Sequence, residues 1–159
     1  MRQTVYVETS VFSYLAGRPS RDLIVAARQR RTHTWWRTRR SAFDLCVSQV
    51  VIDEAAAGDP RPAAMRSGFL AGIPTLDMPV GVADLAAALI DGVPLPRKAA
   101  ADAAHIAVAA YHRVDFLLTW NLAHIANAQL RPRIEAICRA SGYSAPILCT
   151  PDELMGGNI

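Results

Sequence analysis

Apolar positions in this chain follow two rhythms, and the change between them marks out the elements. Short runs dense in β-branched and aromatic residues, "TVYVE" (4–8), "DLCVS" (44–48), "TLDM" (75–78), "DFLLTW" (115–120) and "PILCT" (146–150), read as buried strands. Between them the pattern is helical. "SVFSYLAG" predicts a helix that ends at Gly17, with Arg18-Pro19 as the break and Thr9 and Ser10 as its capping pair. Ser20 reads as the cap of a longer helix reaching about Arg39, with Asp22 in its first turn. Further helices are expected from about Gln49 to before "GDPRP", over "RPAAMRSGFLAG", and over 80–91, 97–112 and 130–141. Strands alternating with helices predict an α/β fold, a three-layer α/β/α sandwich on a mainly parallel central sheet of about five strands. At 159 residues the expectation is one domain over 1–159.

Composition narrows the class. The chain is 52% hydrophobic and 19% charged, which excludes a disordered polymer. No apolar run reaches the roughly 20 residues that span a bilayer, and "MRQTVYVETS" lacks the apolar core of a signal peptide, so a cytoplasmic protein with no membrane partner is expected. Cys46, Cys138 and Cys149 are odd in number and scattered through apolar surroundings, which reads as reduced core thiols. A formal charge of +3 is compatible with a polyanionic partner without requiring one. Its distribution says more, because "RQRRTHTWWRTRR" (28–40) interleaves arginines with two tryptophans. That is the chemistry of phosphate pairing and base stacking, and Arg37, Arg39 and Arg40 are the candidate nucleic-acid contacts. A solvated helix face with its tryptophans in the core fits the same pattern.

Open α/β sheets bind ligands beyond the carboxyl ends of their strands, and that rule filters the acids. Glu8 closes the first strand, Glu54 lies on the helix after the second, and Asn121 is the first polar residue after the fourth. Asp102 heads the alanine-rich helix "AADAAHIAVAA" that leads into that strand. An acid in a first helical turn complements the helix dipole, so Asp102 alone has an ordinary explanation. Three carboxylates and an amide aimed at one rim do not, because crowded carboxylates repel and are kept together chiefly by a divalent cation. Hard oxygen ligands without histidine or cysteine at ligand spacing favour Mg²⁺ or Mn²⁺ over zinc.

"VYVETS", "VSQVVIDEAAAG", "AADAAHIAVAA" and "LLTWN", in this order, resemble the motifs of PIN-domain ribonucleases, especially the VapC-like toxins of type II toxin–antitoxin systems. The resemblance runs from residue 4 to about residue 150 and implies a PIN-like fold. It further implies a catalytic set of Glu8, Glu54, Asp102 and Asn121, with Glu8, Glu54 and Asp102 as ligands of one or two Mg²⁺ or Mn²⁺ ions. RNA as substrate, a homodimer and a cognate antitoxin that covers the site follow from the same resemblance. Two positions depart from the family pattern. Glu8 stands where an aspartate is commoner, and Asn121 stands where the family has an acid, which removes one charge from the site.

Three readings result: a metal-dependent endoribonuclease, a PIN-like RNA-binding or regulatory module with weak or no activity, and a phosphoacceptor domain of the receiver type. The last would use Asp77 as acceptor, but the chain's only lysine, Lys98, sits in a loop before a helix. Other residues have simpler roles. His105 reads as a hydrogen-bonded helix histidine one turn from Asp102, and His124 has no partner visible in sequence. Tyr111, Phe116 and Trp120 read as core, Ser48 as a helix cap and Asp59 as a turn residue.

Overall fold

The computed structural model describes residues 1–96 and 99–156. Its strands are β1 (Thr4–Val7), β2 (Asp44–Ser48), β3 (Thr75–Leu76), β4 (Phe116–Leu118) and β5 (Ile147–Cys149). They form one sheet in the order β3-β2-β1-β4-β5, and every neighbouring pair is parallel. Central Tyr6 pairs with Cys46 on one side and Leu117 on the other. From β1 the chain steps outward to β2 and β3, then returns across the sheet to β4. That reversal opens a crevice at the carboxyl ends of β1 and β4, where ligands of such sheets bind.

The helices are α1 (Thr9–Ala16), α2 (Leu23–Thr38), α3 (Gln49–Ala56), α4 (Pro60–Phe69), α5 (Val80–Gly92), α6 (Ala100–Tyr111) and α7 (Arg131–Ala140). α1 packs with α2, α3 and α4, while α5 packs with α6 and α7. With the sheet these make the expected three layers. The expected start of α6 at 97–98, and with it Lys98, lies outside the described residues. Among the described residues no helix is long and apolar enough to cross a membrane.

The core explains the strand composition. Val5, Tyr6, Val7, Leu117 and Leu118 are fully buried, because helices cover both faces of a central strand and leave no polar side. α6 is buried nearly all round, with Ala103, Ala107, Ala109 and Ala110 against its neighbours. Alanine gives that helix high propensity and a slim surface, so it can lie close to the sheet. Gly81 on α5 does the same, since a Cβ there would stand 2.6 Å from the Tyr111 ring on α6.

Three caps differ from expectation. Glu8, in extended backbone, caps α1 by accepting from Ser10 N–H, so the cap lies one residue before Thr9. Asp22 caps α2 by accepting from Val25 N–H at 2.9 Å, while the Ser20 hydroxyl accepts from Asp22 N–H and forms the turn before it. Ser48 stands at the cap position of α3 but makes no capping bond, because its hydroxyl turns inward to Tyr6. Asp59 precedes Pro60 at the start of α4 with no side-chain cap. All three cysteines are free and buried, and burial pushes the Cys46 and Cys149 thiols up to about 12.

Candidate active site

Two strand ends and two helices build the site. Glu8 follows β1 directly, and its backbone N–H donates to Leu118 O of β4, so the residue is held at the sheet's central rim. Its Oε2 accepts from Ser10 N–H, from the Ser10 hydroxyl and from the Thr119 hydroxyl at 2.7 Å. Thr119 is fully buried just past β4. Glu54 arrives from the second turn of α3. Its Oε1 accepts from the Thr9 hydroxyl at 2.7 Å and from His105 Nε2–H at 2.6 Å. Each glutamate is thus anchored through one oxygen. Among the described residues no protein hydrogen bond reaches Glu8 Oε1 or Glu54 Oε2.

Burial acts to raise the Glu54 carboxyl, but the hydrogen bond and charge of His105 and the Thr9 hydroxyl outweigh it. The group sits below its ordinary value. The carboxylate is therefore ionised at neutral pH. Glu8 Oε1 lies 3.9 Å from His105 Nε2, and ligand atoms of Glu8, Glu54 and His105 all fall within 4.8 Å of one another.

Asp102 is held differently. Its Oδ1 accepts from Asn121 Nδ2 at 3.0 Å, and its Oδ2 meets His124 Nδ1 at 2.9 Å. Asn121 also accepts through Oδ1 from His124 N–H, which closes the turn after β4. The two halves of the site join through Thr119, whose hydroxyl accepts from Asn121 N–H and donates to Glu8. Asp102 and His105, three residues apart on α6, lie on neighbouring positions of one helix face. All four candidates therefore stand at the carboxyl rim: Glu8 and Glu54 beside His105, Asp102 beside Asn121 and His124. Sequence reading gave Ser10 only as a helix-capping residue and did not single out Thr119. Their only signal was their place after neighbouring strands, next to the acids they hold.

The arginines divide along α2. Arg37, Arg39 and Arg40 lie where α2 runs through a 3-10 turn (Arg40–Ala42) toward the amino end of β2, the rim opposite Glu8. Trp35 and Trp36 are buried, so of the two readings of this segment the one with its tryptophans in the core holds for them, and Arg40 lies over the Trp36 ring at 4.7 Å. The other end of α2 reaches the site's rim. Arg28 lies over Trp120 at 5.5 Å, and Arg31 pairs with Asp152 at 2.6 Å. A cavity of about 570 Å³ opens there, bordered by Leu23, Ile24, Arg28, Trp120 and Leu122. Trp120 itself is buried, and Phe116 and Tyr111 are half-buried against the core, as their sequence contexts predicted.

Comparison with known proteins gives a consistent picture. The family model of the PIN domain matches residues 5–127. No curated protein matches the sequence significantly. Two solved structures share the fold along nearly their whole length. VapBC2 from Rickettsia felis, solved bound to a DNA fragment from its promoter, matches at a TM-score of 0.59 and 11% identity, covering 93% of this chain and 98% of that one. VapC20 of Mycobacterium tuberculosis, a sarcin–ricin loop cleaving toxin, matches at 0.57 and 14%, covering 89% and 99%.

Proposed function

This chain belongs to the PIN-domain family, a family of nucleases, and from that premise we propose that it is a metal-dependent endoribonuclease, the toxin of a toxin–antitoxin pair. The observation that carries the reading is the convergence at one rim. Two glutamates from different elements each keep one oxygen free of protein hydrogen bonds, Thr119 and Asn121 tie Glu8 to Asp102, and His105 holds Glu54 beside them. The donor set suits a hard divalent cation, Mg²⁺ or Mn²⁺, one or two per site. Glu8, Glu54 and Asp102 would hold it. A bound divalent ion supplies an activated water and positive charge against the scissile phosphate. The chain's own part is to keep its carboxylates ionised and aimed, and Asn121 orients the water or the RNA. In the hydrolysis, water oxygen bonds to phosphorus, the P–O bond to the leaving oxygen breaks, and a proton passes to that oxygen.

Arg28 is the arginine best placed to meet the RNA backbone near the rim, with Arg37, Arg39 and Arg40 as contacts for RNA that extends along α2. The exposed side chains of Leu23, Ile24 and Leu122 beside Arg28 suit an antitoxin segment that keeps RNA away. A single domain over 1–159, a homodimer and a cytoplasmic location complete the reading. The test is RNA cleavage by highly purified protein with Mn²⁺. Cleavage should stop with a chelator and fall by at least about a hundredfold in Asp102→Ala. Cleavage that survives both would belong to a contaminant or to another site. Asn121 favours a second reading, a PIN-like RNA-binding module without chemistry. It predicts RNA binding with no Mn²⁺-dependent cleavage.

A further inference from the structure

We propose that His105 is a positioning residue for Glu54: its Nε2–H holds the carboxylate in place, and a buried pair of hydroxyls, Tyr6 and Ser48, holds the imidazole from behind. The inference deepens the nuclease reading and rests on Glu54 as a metal ligand.

His105 is fully buried on a helix whose other inward positions are almost all alanine, valine or isoleucine. An imidazole in such surroundings is costly unless both nitrogens find partners. Both do. Nε2 meets Glu54 Oε1 at 2.6 Å and Nδ1 meets the Tyr6 hydroxyl at 2.7 Å, which in turn meets the Ser48 hydroxyl at 2.7 Å. The chain of bonds draws on three elements, β1, β2 and α6, and ends on the Glu54 carboxylate of α3.

Its direction follows from chemistry. An ionised carboxylate only accepts, so Nε2 must carry the proton that Glu54 receives. With a neutral ring, Nδ1 accepts from Tyr6 and Tyr6 accepts from Ser48. With a charged ring, Nδ1–H donates to Tyr6 and Tyr6 donates to Ser48. The hydroxyls reverse between these two states while the bond to Glu54 stays the same. Burial holds the Tyr6 phenol far above its ordinary range, so the hydroxyl keeps its proton in both.

This explains why α6 spends a buried polar position here. A free glutamate loses rotamer freedom when it takes up an ion, and a glutamate already fixed does not. His105 and the Thr9 hydroxyl both bind Oε1, so Oε2 is presented without being used. The same commitment makes His105 a holder of the ligand and not a ligand itself, since its Nε2 lone pair is taken by the proton.

The experiment compares the full chain with His105→Gln, His105→Leu and Tyr6→Phe. Mn²⁺ affinity is read by electron paramagnetic resonance, imidazole protonation by ¹⁵N resonance of the metal-free protein, and kcat and KM with RNA. We expect a protonated Nε2 in the metal-free protein. His105→Leu should weaken Mn²⁺ binding at least about tenfold and lower kcat with KM little changed. His105→Gln keeps an N–H in reach of Glu54 and should restore affinity to within about threefold, and Tyr6→Phe should fall between. An unprotonated Nε2, or nitrogen coupling from His105 in the Mn²⁺ spectrum, would overturn the inference. So would equal Mn²⁺ affinity in the parent and His105→Leu, or failure of a folded His105→Gln to rescue. Those outcomes leave the nuclease reading standing. A parent that binds no Mn²⁺ overturns both.

Discussion

Asn121 uses both ends of its amide on the protein. His124 N–H donates to its Oδ1, which fixes the amide's orientation and turns Nδ2 toward Asp102. The residue that replaces an expected acid is therefore the donor that steadies its neighbouring acid. Asn121→Asp would remove that donor and set two carboxylates against each other. We predict a loss of about 1–3 kcal/mol of stability without metal, and tighter Mn²⁺ binding because an ion would neutralise the pair. Thermal melts with and without Mn²⁺ test this. An unchanged metal-free melt would mean that Asn121 does not hold Asp102 in solution. Sequence placed this asparagine at the rim, since it is the first polar residue past a buried strand. It could not give the partner, because Asp102 and Asn121 meet through packing of α6 against β4 and not through spacing along the chain.

At the scale of elements, α2 shows what a pattern conveys and what it leaves out. Its arginines and tryptophans mark a 16-residue helix with one buried stripe. Which end faces the site depends on the direction of the crossover from β1 to β2, and that belongs to the sheet. Arg28 and Arg37 are nine residues apart, which at 1.5 Å per residue is roughly 13 Å along the axis. We therefore expect Arg28→Ala to weaken RNA binding more than the combined Arg37→Ala, Arg39→Ala and Arg40→Ala replacement, and to lower the slope of log affinity against log salt by about 0.7. Filter binding at several salt concentrations decides. A larger effect of the triple replacement would put the RNA across the far end of α2. The caps were legible only to within a residue or two for a similar reason. Serines, threonines and acids near a helix start compete for the capping place, and the path of the chain into the helix determines which one is in extended backbone. Ser48 holds the cap position of α3, but its hydroxyl bonds instead to Tyr6, a partner 42 positions away.

For the whole molecule, the alternation of strands and helices was enough to predict the parallel sheet, and the rule of carboxyl ends named acids that the fold brings to one rim. The hydrogen bonds that make those acids a site were not visible, since they join strands and helices distant in sequence. They also couple the site to stability. The Glu54 carboxyl lies below its ordinary value of 4.5 in the folded chain, so the unfolded chain binds more protons as the pH falls. The contribution of Glu54 is present above that ordinary value and is lost as the pH drops through the folded one. Denaturant midpoints of the metal-free protein between about pH 6 and about pH 3 should therefore fall less steeply in Glu54→Gln than in the parent. Equal slopes would remove Glu54 from the acid response. One bond has a different consequence. Glu8 leaves the ribosome before the Thr119 hydroxyl that holds it, which follows 111 positions later. At about 5–20 residues per second the two are separated by roughly 6 to 22 seconds of synthesis. Throughout that interval the nascent chain carries the first acid of its site without the strand that fixes it. Assembly of the carboxylate cluster is thus deferred until β4 and the residue after it have been made, so translation runs ahead of the candidate site by those seconds.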